Sequence, residues 1–367
     1  MKTGIITFHQ ALNYGAVLQT YALQRTLQEM NISSEVIDYS CARIHEDYRA
    51  WDLSRCKSKK DYLRALSFFF RMRGRRKGFQ RFQSEYLVLS KPCGKENIQE
   101  IGKAYDCLIT GSDQVFNDKC TDLDRNYFLA FTDDSKKKNS YAASFGFQKI
   151  PDGLEAEYKE LLSDFANISV REEKGLQIVH DTAGKEAVQH VDPTLTLSAM
   201  EWKKLVKEKP CKENYVFMYT VMDPVKSYQF AKKLADEKGL TLIYLHGTIQ
   251  LREKIQKEEN VKHLYSLSPD EFITYLYHAD YVVTNSFHGT VFSLLFEKKF
   301  VVELETGWNY NHRSEELLQL LKKDHHVLKE TSMNDIDEKE DWTFVKEYLG
   351  AETKRSREYL ERITAVR

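Results

Sequence analysis

The sequence predicts an α/β protein built of two Rossmann-like domains facing a cleft. Three observations carry that prediction. The chain has 367 residues, more than one compact core usually holds. Strand-like apolar runs alternate with helical periodicity in both halves. A proline-bearing stretch, HVDPTLTL at 190–197, separates the two sets.

In the first set, GIITF reads as a strand. NYGAVLQTYALQRTLQEMN follows as a helix with Ala16, Val17, Tyr21, Leu23 and Leu27 roughly on one face, and SEVIDY reads as a second strand. A βαβ unit of this length favours a parallel sheet. DCLITG (106–111), NSYAASFG (139–146) and NISVRE (167–172) continue as strands, with a helix near 154–165. The second set runs YVFMYTV (215–221), helix SYQFAKKLADEKG, strand TLIYLHG (241–247), helix SPDEFITYLYHA, strand YVVTNS (281–286), helix TVFSLLFEKK and strand FVVEL (300–304). The boundaries expected are therefore 1–197, 198–330 and a tail of one or two terminal helices over 331–367.

Residues 55–82 stand apart. The stretch is densely basic, with Asp61 as its only acid. It reads either as a solvated helix pair with Phe68–Phe70 in a core, or as an electropositive lid or peripheral membrane contact. It is assigned to the N-terminal domain.

The net charge is −1 with pI near 6.8, so nucleic acid is not an expected partner. No apolar run approaches the roughly 20 residues of a membrane span. Six scattered cysteines without a CxxC pair read as reduced thiols of a cytoplasmic protein. No P-loop, GxGxxG, HExxH or GxSxG pattern is present, and neither a metal nor a cofactor is expected.

In open parallel sheets, ligands sit beyond the carboxyl ends of strands. The polar clusters fall there. His9, Asn13, Tyr14 and Gly15 follow the first strand, and Ser112, Asp113, Gln114 and Asn117 follow DCLIT. Arg171 follows NISV. In the second half come His246, then Asn285, Ser286 and His288, then Asn309, Asn311 and Arg313. Each cluster alone also suits turns and caps; together they favour a polar cleft.

NYGAVLQTYALQ, ITGSDQVFN, KKKNSYAASFG, ISVREEKG, VDPTLTL, SPDEFITYLYHADYVVTNSFHGTVFSLLFEKKF and NYNHRSEELL, in this order, resemble the polysaccharide pyruvyltransferase family from about residue 4 to about 320. The resemblance implies a glycosyltransferase-B-like arrangement. It also implies transfer of a pyruvyl group from phosphoenolpyruvate, as co-substrate, to a sugar of a surface or exopolysaccharide, leaving a cyclic ketal and phosphate. An imidazole can move protons both ways near neutral pH, which makes His288 the expected acid/base. Donor contacts are expected from Arg171, Ser286, Gly289, Arg313 and His246. Acceptor contacts are expected from Asn13, Tyr14, Gly15, Ser112, Gln114 and Asn117, with Asp113 as a base on a sugar hydroxyl or as a helix cap. The acceptor would be a glycan, lipid-linked or nucleotide-linked, met at the inner membrane face if 55–82 touches lipid. Many members read Arg-Leu-His where this chain has Ser286-Phe287-His288, so the charge for the donor falls to Arg171, Arg313 or the basic segment. A nucleotide-sugar glycosyltransferase on the same architecture is the alternative.

Overall fold

The computed structural model describes residues 1–47, 58–224, 226–247, 258–304, 312–329 and 332–365. Asn309, Asn311 and residues 55–57 of the basic stretch therefore lie outside the described residues. The chain divides into two compact units. One holds Met1–Tyr48, Gln83–Leu197 and Tyr348–Arg367; the other holds Arg49–Phe82 and Ser198–Glu347.

The first unit carries strands β1 (Lys2–Ile6), β2 (Ser33–Val36), β3 (Cys107–Thr110), β4 (Lys138–Ser140), β5 (Ile168–Val170) and β6 (Ala187–Gln189). Four pair in parallel in the order β2-β1-β3-β4, and β5 pairs with β6. Between β4 and β5, serine side chains supplement the backbone bonds from Ser140 N to the Asn167 carbonyl and from Ala143 N to the Ser169 carbonyl (3.0 Å each). Ser169 N donates to Ser140 Oγ (2.8 Å), and Ala142 N donates to Ser169 Oγ (3.0 Å). NSYAASFG is thus a strand only at its start, because from Ala142 (φ 46°) the backbone leaves the ladder and meets its neighbours through single bridges. The terminal helix Thr343–Thr364 returns to this unit. Its Tyr359, Leu360 and Ile363 pack with Ile5, Leu23, Leu27 and Ile109, and each large apolar side chain buried in this way contributes roughly 1.5–3 kcal/mol.

The second unit carries β7 (Tyr215–Thr220), β8 (Thr241–His246), β9 (Val261–Leu264), β10 (Tyr281–Thr284) and β11 (Lys299–Val302). All are parallel, in the order β11-β10-β7-β8-β9. YVFMYT and YVVT are buried at every position, as apolar runs covered on both faces must be. β6 and β9 escape sequence detection because both are short and partly exposed, with no sustained apolar run.

The basic stretch forms one continuous helix, Lys59–Tyr86, and not a helix pair. Its contacts up to Phe82 are with the second unit, contrary to the assignment from sequence. The reason is Arg75, which is buried. It donates from Nε to the carbonyl of Tyr265 (2.9 Å), from Nη1 to that of Gly247 (2.6 Å) and from Nη2 to that of His246. Arg81 adds an ion pair to buried Asp270 at 2.7 Å. Phe69 and Phe70 are exposed, so the expected aromatic core there is absent.

Candidate active site

In the second unit the strand order reverses direction between β7 and β10, and in such sheets the crevice opens at that point. Side chains tie the two outgoing loops together. Thr284 Oγ1 donates to the Tyr219 carbonyl (2.7 Å) and accepts from Ser286 N (3.0 Å). Asn285 accepts from Val221 N (2.8 Å) and donates to the Met222 carbonyl (3.1 Å). Glu303, just after β11, accepts from Lys226 N (2.6 Å), Ser227 N (3.1 Å) and Ser227 Oγ (2.5 Å).

Ser286 is the N-cap of helix Phe287–Leu295, its Oγ accepting from Gly289 N at 3.4 Å. The helix starts three residues earlier than the apolar run suggests, so His288 sits in its first turn, 7% exposed. Gly289 is required there, because a Cβ would stand 2.3 Å from Thr284 Oγ1. The Phe287 ring is in contact with two candidate groups. The His288 ring is 5.1 Å away edge-on, and the Arg313 guanidinium is 5.3 Å from its centroid. Helix-start N–H groups, an imidazole and a guanidinium make a set suited to binding an anion and moving a proton.

His246 is placed differently. Its ring stacks between Tyr244 (3.8 Å) and Tyr265 (4.5 Å), with Nε2 2.9 Å from His263 Nδ1. It is packed in an aromatic column, a structural setting and not the open donor contact expected.

In the first unit the reversal falls between β1 and β3. Thr7 Oγ1 donates to the Ser112 carbonyl (3.0 Å) and Gly111 N to the Ile6 carbonyl (2.8 Å). Asn13 is exposed and caps helix Tyr14–Glu29, accepting from Ala16 N at 3.2 Å. Tyr14 is fully buried and Gly15 is buried in that first turn, where neither offers a surface to an acceptor. Asp113 is not a helix cap: it adopts φ +70°, and its carbonyl accepts from Ser144 N (2.9 Å), joining the loops after β3 and β4. The cap is Asn117, which accepts from Lys119 N (3.0 Å) and donates to Gln114 Oε1 (2.7 Å). Gly146, at φ +67°, leaves room for Gln114; a Cβ there would lie 2.2 Å from Oε1.

Arg171 is buried and committed. It donates to Asp192 Oδ2 (2.7 Å) and Glu172 Oε1 (3.0 Å), while Ser112 Oγ donates to the same Asp192 oxygen (3.3 Å). Burial works against its charge, but Glu172, Asp192 and Asp113 outweigh that and raise the guanidinium above its ordinary value. Three carboxylates around one arginine make this cluster net acidic, the opposite of what an anionic donor needs. Arg171 also belongs to a different unit from His288.

Sequence reading missed two groups. Asp38 pairs with buried His9 (Nε2 to Oδ1, 2.9 Å) and accepts from Gln10 Nε2 (2.6 Å). The His9 hydrogen bond is the main cause holding that carboxyl below its usual range, against burial. Asp192 anchors Arg171; its signal was the Asp-Pro step of VDPT, the signature of an N-cap before a proline. Among the described residues one group offers metal-ligand atoms within 4.8 Å of one another, His325, His326 and Glu340, and Lys323 already pairs with that carboxylate.

Two parallel α/β units, each with polar side chains on its strand-reversal loops, define a glycosyltransferase-B-like enzyme fold. Solved structures agree. A putative UDP-N-acetylglucosamine 2-epimerase from Listeria monocytogenes is 12% identical over 98% of this chain and 95% of that one, with TM-score 0.52. The UDP-GlcNAc 2-epimerase of Methanocaldococcus jannaschii is 10% identical over 99% of each chain, TM-score 0.53. The Neisseria meningitidis enzyme bound to UDP-GlcNAc is 13% identical over 99% of each, TM-score 0.50. At such identities the likeness is one of fold. No curated protein sequence matches the chain. The family model for polysaccharide pyruvyl transferase matches residues 13–303, and the chain belongs to that family.

Proposed function

We propose that the protein transfers the pyruvyl group of phosphoenolpyruvate to a hydroxyl pair of a polysaccharide sugar, forming a cyclic ketal. The observation that carries the reading is the grouping of His288, Arg313 and the start of helix Phe287–Leu295 around one ring, within a chain of this family. In the reaction the enol methylene takes a proton and becomes a methyl group. One sugar oxygen then bonds to the resulting cationic carbon and loses its proton. The carbon–oxygen bond to phosphate breaks, and the second sugar oxygen closes the ketal. Two hydroxyl protons are lost: one balances the new methyl and one leaves with phosphate.

His288 is the group proposed to deliver and collect the proton. Arg313 and the helix-start N–H groups would hold the donor's carboxylate or phosphate, in place of the arginine that Ser286 replaces. Arg171 is left out of the donor site, since its charge is neutralised by Asp192 and Glu172. Acceptor binding is proposed for exposed Asn13, whereas Gln114 and Asn117 are buried and hydrogen-bonded to each other. Asp113, half-buried on the loop after β3, is proposed as base.

Phosphate release from phosphoenolpyruvate with an oligosaccharide acceptor, and mass spectrometry of the product for one pyruvyl ketal, test the reading. His288→Gln should lower turnover about a hundredfold or more with folding intact. Unchanged turnover in His288→Gln, or stabilisation by UDP with none by phosphoenolpyruvate, would reject it.

A further inference from the structure

Eleven large apolar side chains are exposed among the described residues, and five of them lie within nine positions of one helix: Tyr62, Leu63, Leu66, Phe69 and Phe70. At 3.6 residues per turn these five fall within an arc of about 120°. The arc points away from the side that carries buried Ala65, Arg75 and Phe79. Leu63 is 69% and Phe70 61% exposed, values unusual for such residues grouped on one surface.

The helix does not hold this face loosely. Gly74 and Gly78, one turn apart, let its later half pack closely on the second unit; an added Cβ would meet Ser266 Oγ and Ser268 Cβ at 3.0 Å. Ser266 Oγ donates to the Arg71 carbonyl (3.0 Å), and Arg75 and Arg81 make the contacts described above. The anchored half fixes where the apolar half points. Charge then selects what can meet it. Residues 58–77 contain eight Lys or Arg against Asp61 alone, of which Arg75 is the buried anchor and offers no charge to the surface. Arg73 and Lys77 continue the apolar arc by the next turns and are exposed. A second copy of the chain would bring the same positive face against itself. An anionic lipid surface offers both an apolar layer for the five side chains and negative headgroups for the flanking cations.

We infer that the first half of helix Lys59–Tyr86 is an interfacial membrane-binding element that lies in the headgroup region of an anionic bilayer. The inference stands whether or not the proposed reaction does. No helix among the described residues is long and apolar enough to cross a membrane, so the contact is peripheral.

Co-sedimentation of the full chain with phosphatidylcholine–phosphatidylglycerol vesicles, and with phosphatidylcholine alone, tests it. Binding to the mixed vesicles should exceed that to neutral ones at least tenfold and weaken with added salt. Leu63→Glu with Phe70→Glu should reduce it at least tenfold, and Arg73→Glu with Lys77→Glu should do so separately, with the wild-type urea midpoint kept in each pair. Several results overturn the inference: no vesicle binding by the wild type, equal binding to both lipids, or undiminished binding by either pair. A dimer in light scattering that the Leu63/Phe70 pair dissociates would also overturn it, by giving the face to a second copy.

Discussion

Replacing Gly289 by alanine puts a methyl group where the structure has none to spare. The new carbon would stand 2.3 Å from Thr284 Oγ1, 3.0 Å from its Cβ and 3.1 Å from its Cγ2. Thr284 is fully buried, and its hydroxyl is held by the Tyr219 carbonyl and Ser286 N, so neither partner yields without loss. Overpacking of this kind costs about 1–3 kcal/mol, and each hydrogen bond broken in relieving it adds about 1 kcal/mol. Gly289→Ala should therefore cost about 2–4 kcal/mol, read from urea midpoints at unchanged m-value. Thr284→Ala alone should cost about 1–3 kcal/mol, since two backbone groups lose their partner. The double variant lacks the oxygen at the closest contact, so it should cost at least 1 kcal/mol less than the two single losses combined. An unshifted midpoint for Gly289→Ala, or a cycle additive within about 0.5 kcal/mol, would refute the claim that this contact fixes the helix start bearing His288.

Asp192→Asn should destabilise by about 3 kcal/mol, because it removes a charge paired with buried Arg171; adding Arg171→Met should restore part of the loss in the same unfolding measurement. His190 is buried against Tyr141 and Tyr359, and burial is the main cause that lowers its pKa to about 4, with Arg355 and Arg362 contributing. Between its ordinary value of 6.5 and 4, the unfolded chain binds a proton that the folded one refuses. Stability from this site is thus complete above about pH 6.5 and falls by up to roughly 3 kcal/mol as pH drops to 4. Urea midpoints across that range should flatten in His190→Phe; an identical slope would discount the site.

Apolar runs such as YVFMYT and YVVT were legible because a parallel strand covered on both faces is buried at every position and so is apolar along most of its length, whatever packs on it. The same locality made Ser286 and Asn13 readable as polar residues at strand ends, where they cap the next helices. Sequence also determined the family, through motifs kept in order over most of the chain. Partners distant in the chain were not legible. Whether Arg171 faces a ligand or a carboxylate depended on Asp192, 21 residues on. Arg75 looks like its basic neighbours until three carbonyls, more than 170 residues away, close around it. Tyr14 and His246 became core for the same reason, while Phe70 came to face solvent. Helical and strand periods record which side of an element is covered. A charge or a ring takes its meaning from the groups that chain folding brings within a few ångströms, and only the tertiary structure decides those.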